Sequence, residues 1–313
     1  MIARPQTGAP PRPIRQGRRP WLFAIAPLPA LGGAAYLGVG AYVADRISRP
    51  IRQPLRGTPA DQGLVYEDVT FPSVGDNIPL RGWLINAAGS KTIILVHGAD
   101  GNRDDPTIGL PQVTAALARH NYAVLAFDLR AHGQSGGAHT TLGQRETRDV
   151  AGAIRFLQQR GRTTLGAIGW SLGGVTLLNS APDQPALAAL VCDSAFADLS
   201  DILDFTLPRR DHLPGFFNRG IYLMSRVVVG AAVSRNSPEQ AVARLGPRPV
   251  LLIHGQDDAD VPVAHAYRLQ RAGAGNPRLQ LWVAPGATHA RAFKVYPDEY
   301  LRRVIAFFDE HLP

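Results

Sequence analysis

Short apolar runs alternate with helical patterns along most of this 313-residue chain, and this alternation limits the folds open to it. Each run is four to six residues long and rich in β-branched residues, as in strands that are buried on both faces. Strands that alternate with helices in this way predict an α/β fold with a mostly parallel central sheet flanked by helices. The predicted strands are residues 92–96, 123–127, 165–168, 187–192, 250–253 and 279–283, and the helical patterns are residues 113–119, 146–159, 263–272 and 297–311.

Two segments ahead of this alternation have a different pattern. Residues 64–71 and 80–85 alternate polar and apolar side chains, which is typical of half-exposed strands. A turn around residues 75–77 joins them. We therefore expect an antiparallel hairpin at the start of the domain.

Polar side chains follow nearly every predicted strand. Because the carboxyl ends of parallel strands meet at one edge of a sheet, these side chains should lie close together and form the functional site. Serine, aspartate and histidine each occur just after a different strand, which chance would not readily produce, and these are the residue types of a serine catalytic triad. The segments are residues 97–102, 128–135, 171, 193–194, 254–258 and 286–289.

The stretch Gly169-Trp170-Ser171-Leu172-Gly173 lies between a predicted strand and a predicted helix. It matches the pattern G-x-S-x-G, in which the serine occupies a strained strand-to-helix turn with its hydroxyl exposed. Small residues at positions 169 and 173 let the strand and the helix approach without a clash of Cβ atoms. The alternative is an ordinary serine in a glycine-rich turn, and the order of the residues farther along the chain favours the nucleophile.

A serine nucleophile needs a histidine base, and the base needs an acid that orients it. The chain has Ser171, Asp258 and His289 in the order found in α/β hydrolases. The chain resembles the α/β-hydrolase superfamily, and within it the serine-aminopeptidase-like and dienelactone-hydrolase-like group, which includes membrane-anchored members. The resemblance covers residues 64–313 and implies the α/β-hydrolase fold, with these three residues as the catalytic triad. It rests on residues 127–135, 169–173, 251–262 and 286–289.

The acid and the oxyanion donors follow from the same resemblance. In the motif H-G-x-x-D-x-x-V-P the acid is the fifth residue, which is Asp258 in this chain. Asp260 is the next candidate, and Asp193 is the third because some members take the acid from the preceding strand. We expect the oxyanion to bind the backbone N–H of Leu172, at a helix N-terminus, and that of Ala99, the family-equivalent position.

Residues 197–247 separate two core strands by more than a short connection requires. They contain an apolar stripe at helical spacing, which predicts a small lid-like insertion above Ser171. An ordinary crossover helix that packs on the sheet is the alternative interpretation. The stripe consists of Leu213, Phe217, Ile221, Met224 and Val228.

Residues 21–44 form an uncharged run of 24 residues, which is long enough to cross a bilayer as a helix. We expect a transmembrane anchor there, with a cleaved signal segment as the alternative. Residues 1–20 are predicted to be disordered and residues 45–62 to form a juxtamembrane linker to a hydrolase domain at 63–313. A small excess of arginines ahead of the run favours a single-pass membrane protein with its catalytic domain on the extracytoplasmic side.

The net charge of +8 belongs to the N-terminal segment. Residues 1–56 contain nine arginines and one acid, whereas the rest of the chain has 24 basic and 24 acidic residues. Without a basic patch in the body of the chain, nucleic acid is not an expected partner. The nine histidines lack the spacing of a metal site and the chain has one cysteine, so we expect no metal, no cofactor and no intrachain disulfide.

Taken together, these features predict a membrane-anchored serine hydrolase that cleaves a carboxylic ester, or an amide or thioester, through an acyl-enzyme. The expected partners are a small-molecule or lipid-like acyl substrate and, through the N-terminal helix, the membrane. An acyltransferase on the same fold is one alternative. A non-catalytic, membrane-tethered interaction protein is the other, although a chain of that kind should lack a member of the triad. The sequence leaves the acyl chain and the oligomeric state open.

Overall fold

The computed structural model describes residues 27–89, 91–210 and 212–313. Within them, eight strands form a single sheet. The strands are β1 (Tyr66–Pro72), β2 (Pro79–Ile85), β3 (Lys91–Val96), β4 (Tyr122–Phe127), β5 (Leu165–Trp170), β6 (Leu187–Asp193), β7 (Val250–Gly255) and β8 (Leu279–Ala284). Their order across the sheet is β1-β2-β4-β3-β5-β6-β7-β8.

The sheet is parallel from β4 to β8 and antiparallel at its other edge. β1 pairs with β2, and β2 pairs with β4, in antiparallel register, so the predicted hairpin extends an otherwise parallel sheet. The remaining neighbours are all parallel. The predicted α/β-hydrolase architecture is therefore confirmed for the sheet.

Helices connect the strands and cover both faces of the sheet. They are α1 (Pro27–Ser48), α2 (Leu110–Arg119), α3 (Thr147–Gln158), α4 (Leu172–Ser180), α5 (Leu199–Arg210), α6 (Asn218–Val228), α7 (Pro238–Val242), α8 (Ala264–Ala272), α9 (Ala292–Val295) and α10 (Pro297–His311).

The continuous apolar runs of the central strands are explained by burial on both faces. In β3, the side chains of Ile94 and Val96 join one apolar core, whereas those of Ile93 and Leu95 join the other. Successive side chains of a strand point to opposite faces, so a strand between two helical layers has no solvent-facing positions to fill with polar residues.

Helix α1 packs against α6 through a close backbone approach. The side chains of Val43 and Ala44 in α1 are buried in the same apolar core as Ile221 of α6. A Cβ atom on Gly40 would lie 2.8 Å from the carbonyl carbon and oxygen of Gly220, so glycine at position 40 allows this contact.

The prediction of a transmembrane helix needs correction. Within the described residues, no helix combines the length and the apolar character that crossing a bilayer requires. The predicted span at 21–44 is therefore not supported, and α1 continues past its end through Asp45 and Arg46 to Ser48. Residues 21–26, and the predicted disordered segment 1–20, lie outside the described residues.

The predicted linker is bound to the domain as a surface arm, residues 49–57. The arm follows the loop after β3: the Ile51 amide donates to Asp100 Oδ1 at 2.8 Å, and the Asn102 side chain donates to two arm carbonyls at 3.1 and 3.2 Å. The Arg52 guanidinium donates to the carbonyls of residues 132, 133, 135 and 137.

The insertion at 197–247 is helical, but it differs in detail from the predicted stripe. It contains α5, α6 and α7, and α6 begins only at Asn218. Leu213 and Phe217 therefore precede the helix. Ile221 is fully buried, whereas Val228 is 37 % exposed. The stripe is interrupted because the chain enters α6 through a 3₁₀ turn at Gly215–Phe217.

Candidate active site

The turn between β5 and α4 holds Ser171 in a strained backbone conformation. Its φ is 49° and its ψ is −114°, values that residues other than glycine rarely adopt. A Cβ atom at Gly173 would overlap the Val96 carbonyl oxygen, and one at Gly169 would overlap the backbone of Gly173. Glycine at both positions therefore lets the turn close with the serine at its tip, as the pattern predicts.

The structure brings Ser171, His289 and Asp258 together, although 118 and 31 residues separate the contacting pairs along the chain. His289 Nε2 lies 2.9 Å from Ser171 Oγ, and His289 Nδ1 lies 2.7 Å from Asp258 Oδ2. The Asp258 side chain is fully buried, whereas that of His289 is 23 % exposed. The imidazole thus bridges the hydroxyl and the carboxylate and remains open to a substrate.

Asp258 is held in its ionised form. Burial alone would raise the pKa of this carboxyl, but hydrogen bonds from His254, His289 and the Val261 amide outweigh burial and lower it well below the usual range. The amides of Asp260 and Val261 donate to Oδ1 at 3.0 and 2.8 Å. The other oxygen, Oδ2, lies 2.7 Å from His289 Nδ1 and 3.4 Å from His254 Nε2.

The ionised carboxylate determines the tautomer of His289. A carboxylate only accepts hydrogen bonds, so Nδ1 carries the proton and Nε2 accepts from the Ser171 hydroxyl. Burial alone would lower the pKa of His289, but the hydrogen bond to Asp258 and its negative charge raise it above the ordinary value of 6.5. This is the protonation pattern that a general base beside serine requires.

The two predicted oxyanion donors belong to two segments next to the serine, the start of α4 and the loop after β3. As the first residue of α4, Leu172 has no helical carbonyl four residues earlier to accept its N–H. Ala99 is exposed in the loop after β3. That loop packs against the nucleophile, because a Cβ atom at Gly98 would lie 3.5 Å from Ser171 Cβ and 3.5 Å from the Trp170 carbonyl oxygen.

His97 orients the peptide that carries the Ala99 N–H, a role that the sequence reasoning missed. Its Nε2 lies 3.0 Å from the Leu129 amide and so accepts, which leaves Nδ1 to donate to the Gly98 carbonyl at 2.7 Å. Burial lowers the pKa of His97 to about 4, so the ring is neutral. Because a trans peptide points its C=O and N–H in opposite directions, holding the Gly98 carbonyl inward directs the Ala99 N–H outward.

A buried ion pair ties the loop after β4 to the loop after β3. Arg103 pairs with Asp128, and both side chains are almost completely buried. The amides of Arg103 and Gln134 donate to the Asp128 carboxylate, each at 2.8 Å. Asp128 therefore has a structural role beside the site, as does His132, whose ring packs against that of His97.

Asp193 and Asp260 do not occupy the position of the acid. Burial raises the pKa of Asp193 to about 6, despite a hydrogen bond from Ser194 that lowers it. The Ser194 hydroxyl donates to Asp193 Oδ1 at 2.9 Å and accepts the Ala290 amide, also at 2.9 Å. Asp193 thus supports the loop that carries His289. Asp260 is exposed and contacts the triad through its backbone amide.

Among the described residues, no three His, Cys, Asp or Glu side chains are grouped in a way that could hold a metal ion. The candidate site itself contains the nucleophile, the histidine, the carboxylate and two candidate amide donors.

Comparison with known proteins identifies related chains and folds. The chain is 27% identical over 250 residues to YfhR of Escherichia coli strain K12, which covers 77% of this chain and 80% of that protein. It is 29% identical over 223 residues to YqkD of Bacillus subtilis strain 168, covering 70% and 71%. The esterase PF2001 of Pyrococcus furiosus superposes with a TM-score of 0.72 at 27% identity, covering 85% of this chain and 98% of the esterase.

More distant structures share the fold. Est1E of Butyrivibrio proteoclasticus, solved with ferulic acid bound, superposes with a TM-score of 0.61 at 20% identity, covering 78% of this chain and 99% of Est1E.

The model of the prolyl oligopeptidase family matches residues 110–313, which include the elbow, Asp258 and His289. The chain is a hydrolase of the α/β-hydrolase fold and belongs to the prolyl oligopeptidase family.

Proposed function

We propose that this protein hydrolyses carboxylic esters through an acyl-enzyme formed on Ser171. The observation that carries the proposal is the position of the His289 imidazole, 2.9 Å from Ser171 Oγ and 2.7 Å from the buried Asp258 carboxylate. A histidine held in this way can take the serine proton as the hydroxyl oxygen attacks, and the carboxylate stabilises the imidazolium that forms.

In the first half of the reaction, Ser171 Oγ attacks the ester carbonyl carbon while its proton passes to His289 Nε2. The tetrahedral intermediate places its negative oxygen between the N–H groups of Leu172 and Ala99. His289 then donates the proton to the leaving alkoxide oxygen, the carbon–oxygen bond breaks, and the alcohol departs. The acyl group remains on Ser171.

In the second half, water attacks the acyl carbonyl and gives a proton to His289 Nε2. The second tetrahedral intermediate collapses, the proton returns to Ser171 Oγ, and the carboxylic acid leaves. The 23 % exposure of the His289 side chain supports this step, because water needs access to the same nitrogen.

An ester is preferred over an amide on two grounds. The Pyrococcus furiosus protein, at 27% identity over 85% of this chain, is an esterase. An alkoxide is also a better leaving group than an amine anion. Cleavage of an ester therefore depends less on protonation of the leaving group by His289 than cleavage of an amide does. A panel of p-nitrophenyl esters and p-nitroanilides of the same acyl groups tests this choice directly.

The variant Ser171→Ala tests the mechanism. We expect it to lower kcat for p-nitrophenyl butyrate by about 10⁴-fold or more and to abolish labelling by a fluorophosphonate probe. Ser200→Ala is the matched control, since the Ser200 hydroxyl donates to Asp198 in the insertion and does not contact the triad. Unchanged turnover or labelling in Ser171→Ala would falsify the assignment.

A further inference from the structure

We propose that α1 and α6 together form a surface that docks on an anionic lipid bilayer. The surface, here named the apolar face, consists of the side chains of Leu31, Leu37, Phe216, Leu223 and Val227. The proposal concerns where the protein binds and does not depend on the ester hydrolase activity.

Most of the large hydrophobic side chains that are exposed in this protein lie at or near the apolar face. Among the described residues, eleven large hydrophobic side chains are exposed, and seven of them lie in α1, in α6 or in the turn before α6. Val227 is 69% exposed, Leu31 and Phe216 are each 64% exposed, and Leu223 is 55% exposed. Apolar groups that cluster on one surface in this way mark a site of interaction.

The two helices touch, and this contact brings Phe216 and one side of α6 next to α1. A Cβ atom on Gly220 would lie 2.7 Å from the Tyr36 ring, and the Tyr36 hydroxyl accepts the Gly220 amide at 2.9 Å. Leu223 and Val227 follow Gly220 by three and seven residues, so they lie on the side of α6 next to α1. The Tyr36 ring also stacks on that of Phe216, with centroids 6.3 Å apart.

The first turns of α1 extend beyond the rest of the domain. Residues 30–35 are all exposed, and burial begins only with the partly buried Tyr36. No charged residue occurs in α1 before Asp45. The sequence that leads into α1, residues 21–26, is also uncharged and contains Trp21 and Phe23. An uncharged helix end that is exposed among the described residues suits the boundary between lipid headgroups and acyl chains.

Charge identifies the bilayer as anionic. Arg219 and Arg226 flank Leu223 on the outer side of α6, and both are exposed. Neither belongs to a salt bridge within the described residues. The first 56 residues carry a net charge of +8, whereas the rest of the chain is neutral. Arginines beside exposed apolar side chains match a surface that offers hydrocarbon and negative charge together. A second copy of the chain would instead place these same arginines close to their counterparts.

Sedimentation of the full-length protein with vesicles tests the proposal. The probes are vesicles of phosphatidylcholine with about 30% phosphatidylglycerol, and vesicles of phosphatidylcholine alone, at about 0.1 M salt. We expect binding to the anionic vesicles and at least about tenfold weaker binding to the neutral ones. The double variant Arg219→Gln/Arg226→Gln should bind the anionic vesicles about 25-fold more weakly, at about fivefold per arginine.

The apolar contribution has its own variants. Leu223→Glu/Val227→Glu should weaken binding by about tenfold or more, since it places charge in the face that enters the lipid. Val65→Glu/Tyr267→Glu is the matched control, because both side chains are exposed but lie outside the apolar face. It adds the same charge and should weaken binding much less. Thermal unfolding followed by circular dichroism shows that each variant is folded.

Three results would overturn the proposal. Equal loss of binding in Leu223→Glu/Val227→Glu and in the control would mean that charge alone drives adsorption. Wild-type binding in Leu223→Glu/Val227→Glu would assign the membrane contact to residues outside the apolar face. The third result is a wild-type protein that does not bind vesicles but forms a dimer. If analytical ultracentrifugation then shows that Leu223→Glu/Val227→Glu is a monomer, the face is an interface between two copies.

Discussion

At the scale of single residues, Asp258 controls the chemistry of His289 through charge and geometry together. The carboxylate stays ionised despite its burial because three donors surround it, and its negative charge raises the pKa of the imidazole. His289 must be neutral to accept the Ser171 proton. Activity should therefore fall as the pH decreases through the raised pKa of His289, above 6.5, and should be retained at higher pH.

The variant Asp258→Asn should change both the rate and the pH profile. Removing the negative charge takes away the largest effect that raises the pKa of His289, so the acid limb of kcat/KM should move to lower pH. An amide can also favour the wrong tautomer of the imidazole, so the plateau rate should fall by up to about 10⁴-fold. The pH dependence of kcat/KM for a short ester measures both effects.

Asp260→Asn is the matched control for the choice of acid. Its side chain is exposed, and its contact with Asp258 is made by the backbone amide, which the substitution keeps. Asp260→Asn should therefore retain the plateau rate and nearly the same acid limb. If Asp260→Asn were the variant with the large loss, Asp258 would not be the acid.

His97→Gln tests whether His97 positions the oxyanion donor. Without the ring that holds the Gly98 carbonyl, the Ala99 N–H loses its direction, and loss of one oxyanion donor lowers kcat by about 10²-fold to 10³-fold. We expect kcat to fall with KM little changed, and the acid limb to stay in place because His289 is intact. His132→Gln is the matched buried histidine: it packs on His97 but does not bond to Gly98, so it should affect stability more than kcat.

At the scale of elements, the glycines show where two segments approach each other. The glycines of the elbow could be predicted because the G-x-S-x-G pattern is local. Gly40 and Gly220 could not, since each is needed only because α1 meets α6, and the two residues are 180 positions apart. In sequence, Gly40 looks like the nearby Gly38, but a Cβ added to Gly38 would have no atom within 4 Å apart from its chain neighbours and the nearby backbone of its own helix.

Gly40→Ala and Gly38→Ala should therefore change stability in opposite directions. In Gly40→Ala the new methyl group would lie 2.8 Å from the Gly220 backbone, and forced repacking should lower the free energy of unfolding by about 1–3 kcal/mol. Gly38→Ala adds a methyl group in open space and replaces a poor helix former, so it should raise that free energy by up to about 1 kcal/mol. Equilibrium denaturation measures both, and equal effects would mean that α1 is not packed on α6.

At the scale of the whole molecule, the arm at residues 49–57 joins α1 to the loop that carries Ala99. Asp104 Oδ2 accepts the amides of Arg56 and Gly57 at 2.8 and 2.7 Å, and the Asp104 residue is only 8% exposed. The Ile51 amide bonds to Asp100, directly after Ala99. The N-terminal segment therefore supports one side of the candidate oxyanion hole.

Asp104→Ala should release the arm. Two amides lose a charged acceptor, so hydrogen exchange at Arg56 and Gly57 should accelerate by about tenfold or more. Asp104→Asn keeps an acceptor oxygen in place and should show a much smaller increase. Hydrogen–deuterium exchange read by mass spectrometry on residues 51–57 distinguishes the two, and unchanged exchange in Asp104→Ala would show that these bonds do not hold the arm.

Most of the secondary structure could be predicted from the sequence alone, because it depends on local sequence patterns. Apolar runs and helical periodicity indicate strands and helices because each depends on neighbouring residues, and the order of strand ends brings Ser171, Asp258 and His289 to one edge. The elbow depends on five consecutive residues.

Only the tertiary structure decided between residues that look alike in sequence. Asp193, Asp258 and Asp260 all follow strands, but Asp258 alone has an oxygen at hydrogen-bond distance from His289 among the described residues. In sequence, His97 resembles any other histidine that follows a strand. Only the structure shows that its two ring nitrogens bond to the Gly98 carbonyl and the Leu129 amide. In sequence, the apolar run before Asp45 is compatible both with a membrane-spanning helix and with a helix that packs on the domain. Its second half packs on α6 because that contact joins residues far apart in the chain, which local sequence patterns do not encode.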